Sequence, residues 1–189
     1  MKAIVKKVLL AMLLVLPVTG VLADEYDDTI TVFKNAGESG SFFDTSYGYA
    51  VFPTIGKGGV GIGAAHGSGR VYEEGDYIGD AKMNQLSVGL QLGGQAYSQI
   101  IFFEDKRALD EFTSGNFEFG AEASAVAITA GVSANATTSG SSVGASGGKN
   151  DAATVGDYYK GMAVFTVAKG GLMYAATVAG QKYKYTAKD

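Results

Sequence analysis

The sequence contains no cysteine and no tryptophan, only two prolines and a single histidine. Without cysteine there can be no disulfide, no thiolate metal site and no lipid-modified cysteine, so an oxidising compartment would be tolerated but not exploited. Two prolines against 28 glycines in 189 residues rule out a proline-rich linker. Long apolar runs are also missing. The longest, residues 8–16, falls well short of the roughly 18 residues that suggest a spanning helix. Basic charge is scarce, with 15 Lys and Arg against 19 Asp and Glu.

What is present begins with a tripartite N-terminus. Lys2, Lys6 and Lys7 precede the apolar run, and Pro17, Gly20 and a small-residue site at Val21-Leu22-Ala23 follow it. This is the pattern of a cleaved secretory signal over residues 1–23, which leaves one domain at 24–189. The signal carries three of the basic residues and no acid, so the mature charge is 12 − 19 = −7. Nucleic acid is then an unsuitable partner, because its binding rests on a basic surface. Any anionic lipid must be met by a local cluster. Export to the periplasm or envelope of a Gram-negative bacterium is the expected location.

The glycines lie among Val, Ile, Phe and Tyr, which suggests β-strands that pack closely at their backbones. A short helix is expected over residues 24–35, where Tyr26, Ile30 and Phe33 share one face and acids crowd the first turn. Residues 47–55 and 60–65 suggest a hairpin about Lys57-Gly58-Gly59. Residues 71–77 suggest a strand and charged turn. In residues 86–92, Leu86, Val88, Leu90 and Leu92 alternate with polar and glycine positions, so one face is expected to be buried. A denser strand at 99–103 precedes a helix in which Ala108, Leu109 and Phe112 face inward. Residues 117–134 are small-residue strand material, and residues 135–153 are a low-complexity stretch expected to form a mobile loop. Together these predict a β-rich α+β domain, an antiparallel curved sheet or partly closed barrel with a few short helices.

Gly48-Tyr49-Ala50-Val51-Phe52 followed by Gly56-Lys57-Gly58-Gly59 recurs as Gly161-Met162-Ala163-Val164-Phe165 followed by Ala168-Lys169-Gly170-Gly171. Two copies are too few for a solenoid, and a pseudo-symmetric pair of hairpins is expected. Each lysine would stand on a glycine turn whose backbone N–H groups can form an anion-binding nest; equally, the glycines can be turn residues and the lysines solvated.

Catalytic patterns fail one by one. In Gly59-Val60-Gly61-Ile62-Gly63, the position that a dinucleotide fingerprint reserves for its third glycine is His66. Neither Lys57 nor Lys169 sits in a phosphate-binding loop sequence. His66 accompanies no nucleophile-elbow serine. Glu73, Glu74 and Asp76, and likewise Asp110 and Glu111, lie beside turn and helix signals and suit solvated faces. No calcium-loop pattern or metal site is found, and no cofactor is expected. Asn135-Ala136-Thr137 matches a glycosylation acceptor, a short and common motif.

Four ordered blocks carry a family resemblance: Tyr49-Ala50-Val51-Phe52-Pro53, the run from Lys57 to Gly63, Leu86-Ser87-Val88-Gly89-Leu90-Gln91-Leu92-Gly93-Gly94-Gln95, and Phe119-Gly120-Ala121-Glu122-Ala123-Ser124. Over residues 35–185 the chain resembles the SYLF domain. The resemblance implies lipid binding without enzyme activity, and, for eukaryotic members, actin binding or bundling at membranes. The chain departs from the family in having Tyr77-Ile78-Gly79-Asp80-Ala81-Lys82 where a Trp-containing segment is usual, Ala130-Gly131-Val132-Ser133 where a Gly-Pro turn is usual, and an acidic mature N-terminus where eukaryotic members are basic. Actin and phosphoinositides are therefore not the expected partners.

The expected function is non-catalytic binding of a lipid or membrane surface. Lys57, Gly58, Gly59, Lys169, Gly170 and Gly171 are the candidates for a headgroup, and Phe52, Phe165 and Tyr174 for apolar contact. An outer-membrane β-barrel is the alternative, since alternating strands, glycine and 21 aromatics suit one. Too few segments reach the roughly 9–11 residues of a spanning strand. An envelope enzyme ranks behind both. Mass spectrometry of the exported protein should find Asp24 as its first residue; a product that retains Met1 to Ala23 would contradict the signal reading.

Overall fold

In a computed structural model, the structure describes residues 21–121, 123, 125–128, 158–169 and 178–189. Most of the expected signal segment, the expected loop at 135–153, Gly170, Gly171 and Tyr174 lie outside the described residues.

Two very long strands dominate: β1 (Gly48–Glu73) and β2 (Asp76–Phe103), 26 and 28 residues long and antiparallel along almost their whole length. They are joined by a two-residue turn, Glu74-Gly75, with φ of 50° and 94°. Positive φ at both central positions matches the right-handed twist of the flanking strands. This is the charged turn that the sequence suggests. No turn interrupts β1 at Lys57-Gly58-Gly59, where the sequence suggests one. Lys57, Gly58 and Gly59 are ladder residues paired with Gln95, Gly94 and Gly93.

The glycines instead bend the hairpin. The pairing shifts between Val60 and Ile62, where four steps along β2 (Leu92 to Val88) oppose two along β1. Extra residues in one strand kink and twist it. A Cβ on Gly59 would stand 2.1 Å from the Ile62 carbonyl oxygen, so only glycine allows the chain to fold back so tightly.

Beyond the bend the two halves of the hairpin face each other, and each gains its own neighbours on β2. β6 (Gln181–Ala187) pairs with Gly79–Gln85 and is flanked by β3 (Asn116–Glu118); β5 (Met162–Ala168) pairs with Tyr97–Phe103 and is flanked by β4 (Val126–Ile128). The six described strands therefore build two leaves from one curved, open sheet, with β1 and β2 contributing to both. β4 is parallel to β5, and the other pairings are antiparallel. The β-rich, mostly antiparallel curved sheet expected from the sequence is the fold observed.

The main core lies between the leaves. Ala50, Phe52, Ile55, Tyr97, Ile101 and Phe103 from one meet Ala65, Val71, Ala81, Met83 and Tyr183 from the other. Contact at the centre is tight enough to exclude side chains: a Cβ on Gly69 would lie 2.6 Å from both the Phe52 ring and the Val51 carbonyl oxygen, and one on Gly67 would lie 2.6 Å from Ile55 Cγ1. Buried polar groups in this core are paired. Gln99 donates to the Tyr183 hydroxyl at 2.7 Å, Tyr183 donates to Gln181, and Gln181 donates to the Tyr97 hydroxyl at 3.2 Å. Burial raises the Tyr97 phenol to about 12 and pushes the Tyr183 phenol well above its usual value, so both stay protonated.

Helices close the edges. α1 (Val21–Asn35), α2 (Gly37–Gly40) and α3 (Phe42–Thr45) lie over the outer face of the β5 leaf, where Ile30, Phe33 and Phe42 bury Val51, Ile100, Phe102, Ala163, Phe165 and Val167. α4 (Lys106–Thr113) is capped by Asp105, which accepts from the Ala108 N–H at 2.8 Å, and turns Ala108, Leu109 and Phe112 into the main core. Both helices expected from the sequence are present, with the apolar faces it assigns.

A polar clasp holds the start of α1. Glu25 accepts from Thr54 at 2.8 Å and from Lys169 at 3.2 Å, and Lys169 also donates to Thr54 at 2.8 Å. The Thr54 hydroxyl and then the Lys169 ammonium hold the Glu25 carboxyl below its usual 4.5. Because the folded value is depressed, this contribution is full above 4.5 and is lost as pH falls through the depressed value.

Two measurements test these contacts. Gly69→Ala should cost about 1–3 kcal/mol in urea unfolding, because the new carbon overpacks a buried ring and a carbonyl; Gly56→Ala, with nothing within 4 Å of the added carbon, should cost little or nothing. An NMR titration should place the Glu25 midpoint below 4.5 and move it up in Lys169→Ala, and an unchanged midpoint would remove the clasp from the account.

Candidate functional site

The repeat that nominated Lys57 and Lys169 occupies both edges of one β2 segment. Phe102 pairs with Tyr49 on one side and with Ala163 on the other, although the repeat equates Tyr49 with Met162. The copies are thus out of step by one residue, and a one-residue slip reverses every side chain. Ala50 and Phe52 point between the leaves, whereas Ala163 and Phe165 point under α1. The first of the two expected hairpins is not formed at Lys57–Gly59, the turn and return strand of the second lie outside the described residues, and the two described strands face opposite ways.

The lysines follow this offset. Lys57, two residues beyond inward-facing Ile55, continues the inter-leaf face and is half-buried; Lys169, two beyond Val167, continues the face under α1 and is engaged by Glu25 and Thr54. The structure does not bring them together. Gly58 and Gly59 lie in the β1–β2 ladder, in extended chain rather than at a turn that could form a nest. Phe52 and Phe165 are completely buried, the first against Tyr183 and the second against Phe42 and Phe102, and present no surface.

A different set of residues shares an open face. On the outer side of the β6 leaf, strand alternation and register line up successive rows. Arg70, Asp80 and Thr186 form the first; Ser68, Lys82, Lys184 and Asn116 the second; His66, Asn84, Lys182 and Glu118 the third; Ala64 and Leu86 the fourth, with Ile62 beyond them. All but half-buried Arg70 are exposed; α1 reaches the first row through Tyr26 on Arg70, and among the described residues no helix covers the other rows. Leu86 is 79% exposed and Ile62 is 66% exposed, at the bend. The sequence assigns Leu86 to a buried face. In the structure Met83 and Gln85 take the inward positions, and Leu86 points out.

The charges on this face are uneven. Lys82 and Lys184 stand directly opposite each other, a like-charge pairing that disfavours the sheet by a few tenths of a kcal/mol to about 1 kcal/mol. Neither side chain has a hydrogen bond or ion pair among the described residues. Lys182 is 3.4 Å from Glu118. His66 and Asn84 share a 2.8 Å hydrogen bond between the lysines and the apolar pair. At the far end Arg70 lies between the rings of Tyr26 and Tyr77, and Lys188 sits over Tyr77. Alternation in Lys182-Tyr183-Lys184-Tyr185 is the sequence signal for this row, legible only once β6 is known to lie beside Lys82.

One cleft of about 280 Å³ opens between α4, β3 and the start of β5, lined by Phe117, Phe119, Tyr159 and Met162, with Glu111 and Glu118 at its rim. Both carboxylates already face cations, Arg107 at 3.6 Å and Lys182 at 3.4 Å. Among the described residues no group of three or more His, Cys, Asp or Glu could hold a metal ion.

Comparison with known proteins places the sequence among relatives. The chain is 28% identical over 158 residues to beta cell expansion factor A of Aeromonas veronii, an alignment that covers 82% of the chain and 51% of the relative. The chain thus spans about half the length of that curated relative. Residues 84–187 match the family model Ysc84, described as Las17-binding protein actin regulator, and so include β3 to β6 and most of β2. With over half of its length in that match, the chain belongs to the SYLF (Ysc84) family.

Proposed function

We infer that the protein is a non-catalytic membrane-surface binding protein of the bacterial envelope. The observation that carries this reading is the bare outer face of the β6 leaf, where Leu86 and Ile62 project side by side into solvent at the bend. Most large apolar side chains among the described residues are buried between the leaves or under α1. Fully removing one such side chain from water is worth roughly 1.5–3 kcal/mol, so two that dock together suit reversible attachment to a bilayer. The bend that displays them is rich in glycine, with Gly58, Gly59 and Gly63 on β1 close to Ile62. Cleavage after Ala23 would deliver this domain beyond the cytoplasm, where a lipid surface is a more suitable partner than actin.

The barrel alternative has less support. The described sheet has free ends, and the space between its leaves is filled by Phe52, Tyr183 and their neighbours rather than by a polar lumen.

Co-flotation with vesicles of mixed neutral and anionic phospholipid tests the proposal. The wild-type protein should rise with the vesicles, and Leu86→Asp combined with Ile62→Asp should weaken binding about tenfold or more while the thermal midpoint stays unchanged. Wild-type protein that remains at the bottom of the gradient with every lipid composition would overturn the reading.

A further inference from the structure

We propose that the lysines of this same face form an anionic-headgroup ladder that selects negatively charged bilayers and fixes the protein's orientation on them, with the β6 leaf down and α1 away from the lipid. This rests on the membrane reading above and adds which charge is recognised and by which residues.

Three observations converge. First, Lys82 and Lys184 are forced opposite each other by register, with Lys182 one row nearer the bend, so three ammonium groups share a small area of one flat sheet. Like charges so placed are relieved by a counter-charge that the described residues do not supply to Lys82 or Lys184. Second, the cluster is local. The chain as a whole carries −4 and the portion after residue 23 carries −7, so bulk charge repels an anionic surface and attraction must come from a local cluster such as this one. Third, the same face continues into Leu86 and Ile62. A free phosphate or a nucleic acid would use the ammonium groups but leave the two apolar side chains in water, whereas a bilayer accepts both, with phosphates beside the lysines and the interfacial region beneath the leucine and isoleucine.

The opposite leaf gives the orientation its asymmetry. Its outer apolar face is occupied by Ile30, Phe33 and Phe42, and the half-exposed Lys169 there is held by Glu25. Among the described residues, the β6 leaf is therefore the one with both its charge and its apolar surface available.

Because the protein has no tryptophan, single reporters can be introduced without background. The mature protein carrying Leu86→Trp, and separately Val32→Trp on the exposed side of α1, would be titrated with vesicles of phosphatidylcholine alone or with an equal part of phosphatidylglycerol, both with brominated acyl chains. With phosphatidylglycerol the reporter at 86 should shift to the blue and be quenched, and the reporter at 32 should do neither. Lys82→Glu with Lys184→Glu should weaken binding to phosphatidylglycerol vesicles about tenfold or more and flatten its salt dependence. Lys34→Glu with Lys106→Glu, an equal charge change elsewhere, should do far less. Lys82→Gln with Lys184→Gln serves if charge reversal disturbs folding.

Equal quenching of both reporters, or equal weakening by both charge-reversal pairs, would overturn the ladder while leaving membrane binding intact. Binding to heparin with the same lysine dependence, and to no vesicle, would overturn the bilayer as occupant. Failure of the wild-type protein to bind any vesicle would overturn the membrane reading itself.

Discussion

The architecture depends on the backbone-to-ring contact at Gly69 and Gly67, where one half of a strand passes so close to the other half that no side-chain carbon fits between them. If these positions carried larger residues, the bent hairpin would open, and the inward faces that hold Phe52, Ile55 and Met83 would part. The bend in turn lets β2 offer its free edge twice, to β6 near the turn and to β5 near its end. Close packing also makes the interior intolerant of unpaired polar groups. The Gln99, Gln181, Tyr183 and Tyr97 network answers this by pairing donors with acceptors across the two leaves.

With the inner faces joined, the protein has two outer faces, and they are treated differently. One is apolar and takes a helical cover, held at its margin by ionic and hydroxyl contacts. The other has polar rows that need no cover and a small apolar group at one corner. This division explains how an acidic protein can carry a useful positive area. Charges more than about a Debye length apart, ~8 Å in physiological salt, are screened from one another, so what a ligand meets is the local row and not the total.

Much of this was legible in the sequence. The apolar spacing of Ile30 and Phe33, and of Ala108, Leu109 and Phe112, identifies both helix faces; glycine among β-formers identifies a closely packed sheet; four ordered blocks identify the family. The internal repeat misled, because similarity of residues carries no information about register. Gly58-Gly59 has the composition of a turn, yet β1 runs through it, and the turn falls at Glu74-Gly75, where a glutamate accepts positive φ. The alternating leucines also suggested burial for Leu86, since period-two patterning distinguishes two faces without saying which is inside. The lysine row was hidden because Lys82 and Lys184 are a hundred residues apart in the chain and neighbours only in the sheet.

The long hairpin also has a consequence for the order in which the molecule assembles. Residues 48–103 can zip outward from their two-residue turn with small loop-closure costs, and the contacts of Gly67 and Gly69 with Ile55 and Phe52 join positions close in sequence. The nascent chain can therefore acquire its bent scaffold before Met162 has been synthesised. Until β5 and β6 arrive, however, both halves of β2 present unpaired edges, Ile100 and Phe102 among their residues. Such edges are templates for pairing with other chains. The last part of the chain thus covers edges that the first leaves open, and truncation from the C-terminus would expose them to pairing with other chains.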